Sequence, residues 1–139
     1  IAPGNLLTTA GLTRITSLII AGGGQGATNT ATRLGVGNSS TAAAVGQTDL
    51  QAAAGAANRY FMTMDATYPQ VSAGVITFKA TFGTADGNFA WNEWCIDIGT
   101  PTVTAGATVN ATMLNRAVQS LGTKTSAGTW VATATITLS

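Results

Sequence analysis

Histidine does not occur in this chain of 139 residues. Its absence removes the commonest general base and the commonest neutral metal ligand, so either chemistry would have to be built from carboxylates and a thiol. Charge of both signs is also scarce. Six Lys or Arg and five Asp or Glu make up 8% of the residues, against about 25% in an ordinary soluble domain. The six cations, Arg14, Arg33, Arg59, Lys79, Arg116 and Lys124, are spread over the whole length without a run. Phosphate-neutralising clusters are therefore missing, which argues against nucleic acid as a partner. A single cysteine, Cys95, excludes an intrachain disulfide. No apolar run reaches the roughly 18 residues of a membrane span. The richest stretch, Leu12 to Ala21, is short and contains Arg14. No basic stretch precedes it, so it does not read as a signal peptide, and a chain opening at Ile1 reads as processed or trimmed.

Small residues fill the space that charge leaves, with 25 Thr, 25 Ala and 17 Gly. A hydrophobic fraction of 45% still belongs to a folded domain rather than a disordered segment. The length fits one domain with its own core. At a net charge of +1, the surface is expected to be Thr, Ser, Asn, Gln and Ala. Burying such a surface against a partner costs little desolvation, because few ions leave water. The composition thus points to a subunit that packs against copies of itself or other proteins. The plain alternative is a secreted or lumenal domain with a bland surface.

Along the chain, Ile1 to Thr9 reads as an extended arm, free to pair with a neighbouring sheet. Residues 10–139 read as one β-rich domain. Thr8 or Thr9 caps a short helix at about 10–21, whose Leu12, Ile15, Leu18 and Ile19 fall at helical spacing and need a docking surface. The glycines from Gly22 to Gly26 end it. Strands are expected over Ala31 to Val36, Arg59 to Thr67, Val75 to Phe82, Asn88 to Ile98, Thr112 to Val118 and Trp130 to Leu138. In the clearest, Ile76, Phe78, Ala80 and Phe82 point one way; Tyr60, Met62 and Met64 share a face of another. Thr48 to Ala54 fits a turn or two of helix, and Gly99 to Asn110 a loop or a hairpin excursion. Five or six strands between Gly, Asn and Ser clusters predict a mainly β fold, an antiparallel sandwich or barrel-like (jelly-roll-like) sheet.

No motif carries chemistry. The carboxylates are Asp49, Asp65, Asp86, Glu93 and Asp97. Glu93 and Asp97 fall on one strand face about 13 Å apart by strand rise, too far to share a proton or an ion. The glycine runs lack the Gly-Lys-Ser/Thr of a phosphate loop. Cys95 has no histidine to activate it and reads as a packing residue. Trp91, Trp94 and Phe89 read as core or subunit contacts before any stacking site. Glu93, set between Trp91 and Trp94, needs a cationic partner if buried, and Arg116 is the candidate. Catalytic, metal and cofactor residues are therefore expected to be none, and the structural candidates are Glu93, Arg116, Trp91, Trp94, Phe78 and Phe82.

Several strings resemble structural proteins of tailed bacteriophages. They are Arg33 to Ala42 (RLGVGNSSTA) with Gln47 to Gln51 (QTDLQ), Phe78 to Gly83 (FKATFG), Asn88 to Trp94 (NFAWNEW), Met113 to Arg116 (MLNR) and Leu121 to Thr125 (LGTKT). Their order is similar to the tail-collar fibre pattern, and the resemblance spans roughly Ala31 to Ser139. In two places the chain departs from it. Cys95 follows Glu93 and Trp94 where the family pattern has glycine, and Gly99 to Asn110 looks like an added excursion. The resemblance implies a virion structural protein that is not an enzyme, with no cofactor. It implies a capsid decoration (cement) subunit contacting the major capsid protein or other virion proteins. A homo-oligomer is implied as well, a trimer by analogy with decoration proteins on threefold axes. A tail-fibre or receptor-binding module touching host glycan is the alternative.

Overall fold

The computed structural model describes residues 5–98 and 112–137. The expected excursion at Gly99 to Asn110 lies outside them, as do the first four residues of the arm. Eight strands and one helix are found among the described residues: β1 (Leu6–Leu7), α1 (Thr9–Ile19), β2 (Thr32–Gly37), β3 (Arg59–Thr63), β4 (Gln70–Ser72), β5 (Val75–Phe82), β6 (Ala90–Ile98), β7 (Met113–Thr123) and β8 (Trp130–Thr137). They form two antiparallel sheets, ordered β1-β7-β6-β2-β3 and β4-β5-β8. The fold is mainly β, and the two sheets pack as a sandwich.

Alternation builds the core between the sheets. β5 turns Phe78, Ala80 and Phe82 inward, each fully buried, with Ile76 partly buried behind them. They meet Leu34 and Val36 of β2, and Trp91, Ile96 and Ile98 of β6. An aromatic chain crosses the sandwich: Tyr60 to Phe82 at 6.2 Å, Phe82 to Trp91 at 4.6 Å, Trp91 to Trp130 at 5.1 Å. These tilted and edge-on contacts are the geometry that ring quadrupoles favour. The larger sheet is buried on its other face too, where Phe61, Cys95 and Met113 pack with Leu50 from the long connection of residues 38–58. A sheet covered on both sides needs near-continuous burial in its inner strands, and β2 shows it.

The helix is set on β7 by its first turn. The Thr8 hydroxyl accepts from the Gly11 N–H at 3.0 Å, an N-cap, and donates to the carbonyl of Met113. The Thr8 N–H donates to the Leu114 carbonyl at 3.0 Å. At the other end Gly22 N–H reaches Ser17 O at 2.7 Å and Ala21 N–H reaches Leu18 O at 3.3 Å. This is a Schellman closure in which Ala21, at φ 53, takes the left-handed position expected of a glycine.

Several sequence expectations are corrected. Thr48 to Ala54 is not helical but an irregular, bent segment; charged side chains take up its backbone groups, as described below. Leu6 and Leu7, at the end of the arm, pair with Arg116 and Asn115 of the chain's own β7. Of the helix's apolar residues only Ile15 packs on the core. Leu12, Leu18 and Ile19 are exposed, because the close approach to β7 is made through Gly11. β3 stops at Thr63, and burial of Arg59 and Phe61 beside Met64 shows that both its faces are covered. β7 runs five residues beyond Val118, since its far half pairs with the start of β6. β4, an exposed three-residue edge, was not anticipated.

A Cβ on Gly11 would lie 2.2 Å from the Leu114 carbonyl oxygen, which is backbone and cannot step aside. Gly11→Ala is expected to cost about 1–3 kcal/mol, as overpacking does. A lower urea midpoint and faster hydrogen exchange at the α1–β7 junction would report it. Thr13→Ala, on the exposed side of the helix, should leave both near the wild-type value.

Candidate functional site

Five of the eleven charged side chains, Arg59, Glu93, Asp97, Arg116 and Lys124, are buried. Glu93 and Arg116, brought together from the sequence, are both wholly inaccessible and joined by the Arg116 Nε and Nη2 to Glu93 Oε2 at 2.7 and 2.6 Å. Neighbouring strands present them on the same face, since Cys95 lies opposite Arg116 and Glu93 opposite Val118. The remaining capacity of each group is taken by the 38–58 connection. Glu93 accepts from the Ala52 and Gln51 N–H groups at 2.7 and 3.1 Å. Arg116 donates to Gln47 Oε1 at 3.0 Å and to the Thr41 carbonyl at 2.8 Å. Room for the carboxylate exists because residue 37 is glycine; a Cβ there would stand 2.4 Å from Glu93 Oε1.

A second arginine works on the same connection. Arg59 pairs with Asp49 at 2.6 Å and donates to the carbonyls of Leu50 at 3.1 Å, Ala52 at 3.0 Å and Ala53 at 3.3 Å. Backbone groups that a helix at Thr48 to Ala54 would have paired internally are thus held by side chains. Lys124 does likewise for the turn after β5, donating to Gly83 O at 2.6 Å and Asn88 Oδ1 at 2.9 Å. Asp97 accepts from the Thr112 N–H at 2.8 Å. Cys95 lies fully buried beneath these groups. Burial, and then the nearby Asp97, Glu93 and Asp49 carboxylates, push its thiol well up, away from the thiolate form that reacts. Among the described residues no three His, Cys, Asp or Glu stand where they would hold a metal ion. The network's visible chemistry is the retention of a long, helix-free segment against the sheet.

The three tryptophans of the chain converge elsewhere. A register shift between Trp91 and Glu93 breaks the alternation of β6. Trp91 and Trp94, three residues apart, consequently face the same side, where strict period two would separate them. With Trp130 of β8, Leu34, Val36 and Leu121 they line a groove of about 340 Å³. A second hollow of about 390 Å³ continues it along β8, between Asn5, Trp94 and Ile136. Trp91 is deep in the core, whereas Trp94 and Trp130 are half-buried. Phe78 and Phe82 sit in the core and line neither hollow.

Sequence reading found the Glu93–Arg116 pair from the need of a flanked carboxylate for a cation. It missed Arg59 with Asp49, the Lys124 clamp and the groove. The scarcity of charge was a usable signal for the first two, because an isolated ion in so apolar a chain needs a fixed partner. The groove depends on a bulge that no residue type announces.

Fold and site together define an antiparallel β sandwich that turns five of its charged side chains inward and lines a groove along β8 with its tryptophans. Compared with known protein families, curated proteins and solved structures, the chain finds no match in any of the three.

Arg116→Met leaves Glu93 buried without its cation and is expected to cost about 3–5 kcal/mol in urea unfolding. Adding Glu93→Gln should restore part of that, because the amide oxygen still accepts from Ala52. Full wild-type stability in the single variant would contradict the role given to the pair. A separate pH effect concerns Tyr60, whose hydroxyl donates to Asp86 at 2.5 Å. Burial, with that bond and the Asp86 charge, raises its pKa to about 12. The protonated phenol therefore stabilises the fold fully below its ordinary value near 10, and that contribution is lost as pH rises from there to about 12. Unfolding curves across this window should fall more steeply for the wild type than for Tyr60→Phe.

Proposed function

We propose that this chain is a structural protein of a tailed-phage virion, in the first place a capsid decoration (cement) subunit. It would stabilise the head by contacts with the major capsid protein and with its own copies, a trimer being the form the resemblance favours. The reading assigns it no catalytic step and no cofactor, and it places the protein in the virion after assembly in the host cytoplasm. The observation that carries it is the disposition of charge. Arg59, Glu93, Asp97, Arg116 and Lys124 are used inside the fold, and what faces outward is largely Thr, Ala and Gly, with apolar side chains such as Ile19, Ile20 and Val71 among them. A neutral outer surface favours permanent packing, since few ions need to be stripped of water. The phage strings of the sequence supply the particular assembly. Arg116 and Glu93 lie in two of them, the MLNR and NFAWNEW segments.

A second reading, a tail-fibre or receptor-binding module, is favoured by one feature: half-buried Trp94 and Trp130 in a groove without charge, the kind of surface on which a sugar ring stacks.

Purified protein added to expanded capsids that lack it should bind saturably, at a fixed number of copies per capsomer, and raise the temperature at which the shell disrupts. Failure to bind any capsid, together with adsorption to host cells, would overturn decoration in favour of the receptor-binding module.

A further inference from the structure

The two sheets of the sandwich are unequal. β5 lies across β2 and β3, so β8, on the far side of β5 from β4, lies over the β6 side of the larger sheet. Among the described residues the small sheet stops beyond β8, while the large sheet continues through β7 to β1. Gln119 and Leu121 of β7 are left exposed there. The two hollows along β8 occupy this step, and every residue from Trp130 to Thr137 lines one or the other.

β8 is also the longest edge strand among the described residues, at eight residues against two, three and five for β1, β4 and β3. Edge strands in soluble proteins are usually blunted by charge, proline, a bulge or shortness. β8 has none of these: its sequence is WVATATIT and its eight residues pair with β5 in unbroken register. Its other backbone edge faces the groove.

We propose that this groove is a strand-acceptor site. An extended, uncharged segment of another polypeptide, alternating apolar and small polar residues, adds to the free edge of β8 and lays its apolar side chains on the tryptophan floor. Neutrality of the occupant follows from the lining, which contains no ionisable residue in either hollow; a charge placed there would be desolvated without a partner. The extended conformation follows from the wall, whose outer-edge N–H and C=O groups have no strand partner among the described residues and repeat at strand spacing. Alternation follows from the pleat, since only every second side chain of an added strand meets the floor. A second copy's entire small sheet does not satisfy these conditions. Antiparallel pairing of two β8 strands sets both large sheets on one side, where the second copy's β6 would compete with β7 for the same space. A single strand with no sheet beneath it fits.

The probe is an acetylated and amidated octapeptide alternating threonine and valine, with a lysine added at each end for solubility, titrated against the full chain. Saturable change in tryptophan emission is expected, with slowed hydrogen exchange at β8 amides. Replacing a central valine of the peptide by proline should weaken binding by about tenfold or more, because it removes a main-chain donor. Leu121→Glu puts a charge at the exposed rim and should weaken binding comparably, with circular dichroism unchanged; Trp94→Ala supplies an independent variant on the floor. Equal binding of the proline peptide would overturn the proposal, as would no saturation by about 1 mM. Emission changes with a neutral hexasaccharide but not with the peptide would overturn it too, and would identify a sugar site. The titration uses no capsids, so its failure is distinct from failure of the decoration reading.

Discussion

The arrangement of this protein depends on one buried contact, the Arg116 guanidinium against the Glu93 carboxylate, 2.6 Å apart and out of reach of solvent. Removing two ions from water is costly, and their mutual attraction offsets that cost only when the remaining donors and acceptors are satisfied. The chain satisfies them with its own backbone. Gln51 and Ala52 N–H groups complete Glu93, while Thr41 O and Gln47 complete Arg116. In the same act the 38–58 connection is fixed to the sheet. That connection contributes Leu50 to cover Phe61, Cys95 and Met113, so the second face of the large sheet owes its burial to a polar contact. A long segment without regular structure is ordinarily a source of mobility; here two arginines and a glutamate take up backbone groups at Thr41 and from Leu50 to Ala53.

The β elements were legible in the sequence because their signal is local. Val75 to Phe82 alternates over its full length, and the strand matches those bounds. Trp130 onward was also found, because Trp130, Ala132, Ala134 and Ile136 alternate with Val131, Thr133, Thr135 and Thr137; Thr112 onward was read as a strand as well. What escaped depends on distant partners. Thr48 to Ala54 has helical composition, but Arg59, from the next strand, takes up carbonyls that a helix would use. The apolar stripe of α1 is present as read, but contact is made where Gly11 permits backbone approach rather than where Leu12 and Leu18 lie.

The candidate sites divide the same way. Glu93 and Arg116 were found because electrostatics constrains a carboxylate between tryptophans regardless of fold. The groove was not, because two events produce it: a register shift in β6 that turns Trp91 and Trp94 to one side, and a small sheet that ends at β8. Neither is written in a short window of residues. Asn115 shows a related effect at the other end of β6, where its side chain accepts from Ile96 N–H at 3.0 Å beside a further irregularity of register.

Sealing its ions inside has a consequence for the surroundings in which such a module works. Dissolved salt weakens attraction between charges that it can reach, within about 8–10 Å at ordinary ionic strength, and acts far less on pairs held away from solvent. Glu93 and Arg116 are such a pair, whereas the part-exposed Lys79 and Asp65 are open to screening. The contact that fixes the 38–58 connection is therefore nearly insensitive to screening by added salt, in dilute medium and at higher ionic strength alike.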